Sequence, residues 1–344
     1  GKNYFAKETV GRVAGLYVGQ ASGQNSDTEN LSTTVVLRSG GNTQLNGAQI
    51  VNANGATQIA AQGDVKLDTV QLSKIEKSYN DSKHFLNDSR TEELETQIQS
   101  QGKVLVQGQD ISARAVNIDS KNGTTALLAK NDLNISEGRT SLDYEAMDYE
   151  KSRGLLSKKS TQTYVANQQN TAVASNITGK NIVLDAGRDI AVQGSQIKAD
   201  DAAHITAGNN INIVAAKNQS AQQSEVIKKK SGFSASLSDG VASVGYGKSN
   251  ANIQQENTAE TLTQSVISSG QGNTVIAAAK DLTTEAALIQ SGKDLTLQGK
   301  NVDLNAGTAS SNQQLQVQSK NSGLSVGITY NPIDAAVSAY KKSS

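Results

Sequence analysis

The sequence predicts an all-β protein: a parallel, right-handed β-helix solenoid with long β-hairpin ribbons inserted between its repeat blocks. Three observations support this fold. Apolar residues lie two apart and are mostly β-branched, which favours strands over helices. A block built around Gly, Asn and Asp bends recurs four times. The 344 residues contain no Trp, one Met and one Pro, a composition that suits stacked thin layers better than one globular core.

The composition also argues against several classes of function, among them nucleic-acid binding and thiol chemistry. The 32 basic and 32 acidic residues balance, so we predict no nucleic-acid partner and no strong attraction to anionic membranes. The absence of Cys excludes disulfides and thiolate chemistry. No apolar run is long enough for a membrane helix, and no signal peptide opens the chain. The pattern starts and stops midway, so we expect residues 1–344 to be one repeat-built region of a longer protein.

Four repeat blocks are predicted at 31–71, 102–138, 179–216 and 272–308. Each contains two polar turns, and the second follows the first by 20 to 22 residues. The first turns are Asn42, Asp110, Asp189 and Asp281, and the second turns are Asp64, Asp132, Asn210 and Asn301. This nearly constant offset indicates that each coil of the solenoid takes about twenty residues, with turn-forming residues at its corners. Because Asn replaces Asp at several turns, we interpret these residues as turn caps rather than calcium ligands.

Segments of variable length separate the blocks. We expect the end of a preceding ribbon at 1–30, connectors at 72–101, 139–178 and 217–271, and the start of a further ribbon at 309–344. The first connector could be a hairpin turning at "NDS" or a helix through "SRTEELETQIQ". The third contains "DG" between two alternating runs, a strong hairpin signal. These connectors are therefore predicted to be two-stranded ribbons that leave the solenoid.

The ribbon tips are the candidate functional residues. Their alternating apolar and small polar residues span about nine or ten positions, which meets the length of a membrane β-strand, and Tyr17, Tyr246 and Tyr330 would suit a membrane interface. The alternative is that the ribbons pack on the solenoid as ordinary hairpins. Lys228–Lys230 is interpreted as a solvated ribbon edge that blocks edge-to-edge pairing, or else as a contact for lipid head groups. The candidate membrane-contact residues are Leu16, Tyr17, Val18, Phe233, Leu237, Val244, Tyr246, Leu324, Val326, Ile328 and Tyr330.

No catalytic, cofactor-binding or metal site is predicted. Asp200, Asp201 and His204 form the most tempting cluster, but the equivalent positions of the other blocks lack it. His84 lies in a charged connector without a nucleophile pattern nearby. Catalysis of the triad type needs a base held beside a nucleophile, so an enzyme is not expected.

The block "AGRDIAVQGSQI…AGNNINIVAA", followed by "KKKSGFSASLS", resembles the haemagglutinin repeats of filamentous-haemagglutinin-like exoproteins of two-partner secretion. Connectors such as "RGLLSKKSTQTYV" most resemble the second repeat region of contact-dependent growth inhibition exoproteins. The first block departs from the motif, with "GGNT" where others read "GRDI". The resemblance implies a secreted protein of the bacterial cell surface, exported by an outer-membrane secretion partner and carrying a C-terminal toxin.

Three functions follow from these patterns. In the first, the ribbons engage or enter the outer membrane of a target cell and help to deliver the toxin. In the second, the chain is a structural adhesin shaft that presents other domains. In the third, the ribbon faces bind a receptor or a glycan on the target surface.

Overall fold

The computed structural model describes residues 2–19, 33–238 and 241–329, and all regular elements within these ranges are β-strands. Three columns of parallel strands form a β-helix solenoid, and the remaining strands form one antiparallel sheet. The predicted all-β fold, a parallel β-helix with ribbon insertions, is confirmed.

Eight coils lie within the described residues, each with one strand per column. The first column contains β2 (Ala14–Val18), β5 (Ala48–Asn52), β10 (Thr96–Ser100), the first part of β13 (Val116–Ala129), the first part of β17 (Asn176–Ala186), β19 (Gln196–Ala199), β24 (Ser265–Ser269) and β27 (Ala287–Gln290). The second contains β3 (Thr33–Ser39), β6 (Gly55–Ala61), β11 (Val104–Gly108), the second parts of β13 and β17, β20 (Ala203–Ala207), β25 (Thr274–Ala278) and β28 (Leu295–Gln298). The third contains β4 (Thr43–Asn46), β7 (Val65–Asp68), β12 (Ile111–Arg114), β14 (Leu133–Ser136), β18 (Ile190–Gln193), β21 (Ile211–Val214), β26 (Asp281–Glu285) and β29 (Asn301–Asn305).

The core is a set of columns of identical or similar apolar side chains. One column stacks Leu16, Ile50, Ile98, Ile118, Ile177, Ile197, Ile267 and Ile289 in successive coils. The central members of this column are fully buried. Each coil contributes only a few apolar residues, and stacking on both sides removes them from water, which is how a chain so poor in large side chains builds a core.

Residues 14–18 belong to the solenoid and not to a ribbon. Strand β2 pairs in parallel with β5, and this register puts Leu16 next to Ile50. The hydroxyl of Tyr17 donates a hydrogen bond to Gln49 Oε1 at 2.6 Å. The prediction that Leu16, Tyr17 and Val18 form a ribbon tip is therefore wrong. It failed because solenoid strands and ribbon strands share the same two-residue alternation.

The eight predicted turn residues form one continuous hydrogen-bonded ladder along the solenoid. The backbone N–H of Asp64 donates to Asn42 Oδ1 at 2.9 Å, and the N–H of Asp132 donates to Asp110 Oδ1 at 3.0 Å. The same contact recurs from coil to coil up to Asn301, whose side-chain amide donates to Asp281. An acceptor oxygen on a short side chain satisfies the next coil's turn, so Asp and Asn serve equally well.

Asp132→Ala is expected to lower the free energy of unfolding by about 1 kcal/mol, because it leaves the Asp189 amide without its acceptor. It also removes the ion pair between Asp132 and Arg188. Asp132→Asn retains an acceptor oxygen and should cost less. Urea denaturation of both variants provides the test, and equal losses would contradict the capping role.

The coils turn from the third column to the first at one shared corner. In alternate coils this corner contains a single left-handed residue, with φ between 44° and 56°: Gly47, Ala115, Gly194 and Ala286. In the coils between them, the same corner expands into a ribbon. Ribbons therefore leave the solenoid from one side, once every two coils.

The ribbons pair side by side into one sheet. Its strand order is β1 (Asn3–Glu8), β8 (Val70–Asp81), β9 (His84–Leu94), β15 (Gly138–Arg153), β16 (Ser157–Val173), β22 (Ala216–Ser238), β23 (Val241–Thr263) and β30 (Ser310–Thr329). Two coils advance the solenoid by about 9.6 Å, which equals the width of two paired strands at about 4.8 Å each. One hairpin per two coils thus fits against the next hairpin without a gap.

The strand pairing corrects three predictions about the connectors. The first connector is a hairpin that turns at Ser82 and Lys83, so the alternative helix is wrong. Lys228–Lys230 does not form a ribbon edge, because β22 pairs with β16 on one side and with β23 on the other. Strands β10 and β24, within segments expected to be connectors, belong to the solenoid.

Candidate functional site

The far ends of the last three ribbon strands bring most of the predicted tip residues together. The register of β22, β23 and β30 puts Phe233, Tyr246 and Leu324 in one row. Val244 and Val326 lie opposite each other in the same sheet, two residues further out. Leu237 and Ile328 lie in β22 and β30, and Tyr330 lies outside the described residues.

The two faces of this region differ sharply. We define the tip face as Phe233, Ala235, Val244, Tyr246, Leu324 and Val326, which share one side because residues two apart in a strand point the same way. Its five large members are 41–79% exposed. The rings of Phe233 and Tyr246 lie 5.1 Å apart between centroids. An exposed apolar patch of this kind marks a contact surface for a partner or a membrane.

The opposite face carries only glycine and serine over the same rows. Gly232, Gly247 and Gly323 pair across the three strands, and Ser236 and Ser243 are hydrogen-bonded at 2.7 Å. The far end of the sheet is therefore smooth and weakly polar on one side and apolar on the other. Such strict alternation is what a strand shows when its two faces meet different environments.

A lysine groove borders the tip face. We define it as Lys151, Lys158, Lys229, Lys248 and Lys320, which line a depression of about 490 Å³. Lys229 precedes Phe233 by four residues and Lys248 follows Tyr246 by two, so the groove and the tip face occupy the same side of the sheet. The lysines come from five different strands, β15, β16, β22, β23 and β30. Sequence reasoning missed this groove because only the strand register brings these residues together.

The lysines alternate with small polar residues in two adjacent rows. One row reads Lys151, Ser160, Lys229, Asn250 and Lys320 across the five strands, and the next row on that face reads Arg153, Lys158, Ser231, Lys248 and Ser322. Each lysine is thus offset from its neighbours, which spaces the ammonium groups while keeping hydroxyl and amide groups between them. No carboxylate occupies either row in the described strands.

Charged side chains hold the base of the ribbon sheet to the solenoid. Arg114 of β12 donates to Asp68 at 2.9 Å and to Glu93 of the first hairpin. Burial alone would raise the pKa of Asp68, but hydrogen bonds from Lys66, the Thr69 amide and Arg114 outweigh it and lower that pKa. The lowered pKa keeps Asp68 charged beside Arg114, and the contacts of Arg114 with Asp68 and Glu93 tie the first hairpin to the solenoid where it leaves.

His84 joins the turn of the first hairpin to the second. Its Nε2 lies 2.8 Å from the Tyr149 carbonyl oxygen, and its Nδ1 lies 3.0 Å from Asp81 Oδ1. These two acceptors raise the pKa of His84, the carbonyl contributing most. Lys83 also lies over the Tyr149 ring, 4.6 Å from its centroid. His84 therefore has a structural role, clamping neighbouring ribbons.

The other tempting cluster lies on a corner of the solenoid. The amides of Asp200 and Asp201 donate to the carbonyls of Gly179 and Lys180 in the preceding coil. His204 points outward from β20.

Within the part of the chain that the structure describes, there is no helix that could cross a membrane.

Eight stacked coils with side-by-side ribbons define a repeat-built β-helix solenoid, and the comparison with known families agrees. The chain belongs to the Hemagglutinin repeat family, which matches residues 154–263 and 244–344, together more than half of its length.

Among curated proteins, the chain is similar to a 16S rRNA endonuclease CdiA of Enterobacter cloacae, with 30% identity over 72% of this chain and 8% of that protein. It is also similar to a tRNA nuclease CdiA-2 of Burkholderia pseudomallei, with 24% identity over 86% of this chain and 10% of that protein. A tRNA nuclease CdiA of Escherichia coli STEC_O31 shows 26% identity over 52% of the chain and 6% of its own length. The chain thus spans a tenth or less of these three relatives. No solved structure gives a significant match.

Proposed function

We propose that this segment is a non-enzymatic part of a secreted cell-surface exoprotein, and that its ribbon sheet engages the outer membrane of a target cell during delivery of a C-terminal toxin. The toxin, the outer-membrane secretion partner and the target membrane are the partners that the proposal requires. Relatives named for nuclease activity support the toxin, because the similarity covers a repeat region far shorter than those proteins.

One observation carries the proposal: an exposed apolar tip face at the far end of a sheet held away from the solenoid. Strands β22 and β23 contain 23 residues each, whereas β8 and β9 contain 12 and 11. The ribbons therefore lengthen along the chain, and the tip face reaches beyond the ends of the shorter hairpins. Apolar side chains at the far end of a sheet can enter a lipid interface at little cost to the fold.

The test replaces the tip face in the full-length parent exoprotein. Phe233→Ser, Val244→Ser and Val326→Ser together should abolish toxin delivery while export and attachment to target cells continue. The matched control, Ser234→Thr with Ser325→Thr, alters the opposite face of the same strands and should leave delivery intact. Growth inhibition of target cells and surface immunoblotting are the measurements. Normal delivery by the triple-serine variant would contradict the proposal.

The continuous eight-coil core favours one alternative function, a structural adhesin shaft. Uninterrupted stacking of this kind gives a stiff spacer. A shaft requires no membrane contact, so the purified chain would then stay with the aqueous phase in liposome flotation. Flotation of the wild-type chain but not of the triple-serine variant would exclude it.

A further inference from the structure

We infer that the lysine groove is a binding site for the phosphate groups of an anionic lipid surface, lying where the tip face ends. This inference rests on the proposed function and adds the chemistry of the lipid head group to it. The full chain has no net charge, yet these five lysines lie together on one face of one sheet. The charge that matters is therefore local, and the balanced composition conceals it.

The position of the groove favours a membrane surface as its occupant. Residues two apart along a strand on one face are separated by about 6.8 Å. Along β22, Lys229, Ser231 and Phe233 follow one another on that face, so the ammonium groups begin about two such steps before the apolar rows. A membrane presents the matching order from water inward, with a phosphate layer directly outside the hydrocarbon.

The lysines are available for such a ligand. All five are exposed, and the ion pairs among the described residues involve none of them. Closely spaced ammonium groups repel one another unless an anion lies between them. Ser160, Ser231 and Asn250 supply neutral donors between the charges, which suits phosphate oxygens better than a carboxylate surface, because phosphate accepts more hydrogen bonds.

The acidic residues of the sheet lie elsewhere. Glu150 precedes Lys151 by one residue and therefore faces the other side. Glu225 shares the face of Lys229 but lies four residues, or about 14 Å, before it along β22. Asn252 and Gln254 donate hydrogen bonds to Glu225, which hold its carboxylate at that distance from the groove. The groove thus keeps a positive potential at close range despite the neutral chain.

The experiment measures binding of the full 344-residue chain to vesicles by flotation. One vesicle set is pure phosphatidylcholine, and the other adds phosphatidylglycerol. The groove variant carries Lys229→Gln, Lys248→Gln and Lys320→Gln. The control variant carries Lys7→Gln, Lys74→Gln and Lys77→Gln, which removes the same charge from exposed positions of β1 and β8 in the same sheet. Inorganic phosphate at matched ionic strength tests whether a free anion competes.

The groove variant should bind the anionic vesicles roughly 100-fold more weakly, since each lysine at an anionic surface contributes about five-fold. Its binding to pure phosphatidylcholine should equal that of the wild type, and the control variant should bind both vesicle types normally. Equal binding of wild type and groove variant to anionic vesicles would overturn the inference, as would equal losses in the control variant. Full displacement by inorganic phosphate at matched ionic strength would overturn the assignment to a lipid surface, because a free anion competes poorly with several lipid phosphates bound at once.

Two further outcomes separate this inference from the proposed function. Binding to anionic vesicles only, with none to phosphatidylcholine, would support phosphate binding by the lysine groove and contradict insertion of the tip face into the membrane. Equal binding to both vesicle types that does not depend on salt would support insertion of the tip face and contradict phosphate binding by the lysine groove. If the wild-type chain floats with neither vesicle type, both are wrong.

Discussion

Ile177→Ala is expected to lower the free energy of unfolding by roughly 3 kcal/mol, because it opens a cavity in the middle of the isoleucine column. Ile177 is fully buried between Ile118 and Ile197 of the adjacent coils. The loss should be local as well as large, because each coil of a solenoid is stabilised mainly by its two neighbours. Urea denaturation gives the magnitude, and hydrogen exchange should show the largest loss of protection in β13, β17 and β19.

The control is Val183→Ala, on the outward face of the same strand, where Val183 is only half-buried. It should cost less than about 1 kcal/mol. If the two substitutions cost the same, or if protection falls equally along the whole solenoid, then the coils do not depend on stacking at this column.

The repeat architecture could be predicted because every coil uses the same pattern of strands and turn residues, so the length of a coil appears as a period in the sequence. The offset of 20 to 22 residues between paired turns is the length of one coil, and the ladder from Asn42 to Asn301 connects those same residues. Strand direction follows from the same repeat, since equivalent residues of successive coils can stack only if the strands run parallel. Local alternation, by contrast, could not distinguish β2 of the solenoid from a ribbon strand.

The ribbon sheet and its lysine groove could not be predicted in the same way. Each hairpin was recognisable from its own turn, but pairing between hairpins depends on where they leave the solenoid. The structure supplies that information: the exits share one corner, and two coils match the width of one hairpin. The alignment of Lys151, Lys229 and Lys320 is a consequence of that pairing, and these residues are far apart in the chain.

This pairing also changes how Lys228–Lys230 should be understood. Lysines protect an exposed sheet edge from unwanted pairing, which is why they first suggested an edge. In the interior strand β22 they alternate between the two faces instead, and only Lys229 joins the rows of the lysine groove. The chain therefore retains lysines in an interior strand, where they give no protection to an edge. For Lys229, the lipid-binding role proposed above is one reason for this position.

Close packing at the shared corner limits the size of the two residues that meet there, which we call the size rule. It predicts the second large effect, a loss of stability when the glycine of such a pair is replaced. At each single-residue corner, the left-handed residue faces a residue at or just before the start of the following ribbon strand, and one member of the pair is glycine. Ala115 faces Gly138, whereas Gly194 faces Ala216. A Cβ added at Gly194 would lie 2.5 Å from the Cβ of Ala216, closer than two methyl groups can approach.

Gly194→Ala is therefore expected to cost about 2–4 kcal/mol, about 1 from the left-handed backbone and the rest from overpacking against Ala216. The double variant Gly194→Ala with Ala216→Gly copies the arrangement of Ala115 and Gly138, and it should recover most of the overpacking cost. Ala216→Gly alone measures the cost of the lost methyl group and completes a double-mutant cycle. Because Ala216 begins β22, where the third ribbon leaves the solenoid, the single variant should also weaken vesicle binding through a misplaced β22. Additive costs in the cycle would mean that the two residues do not contact each other, and the size rule would then have no physical basis.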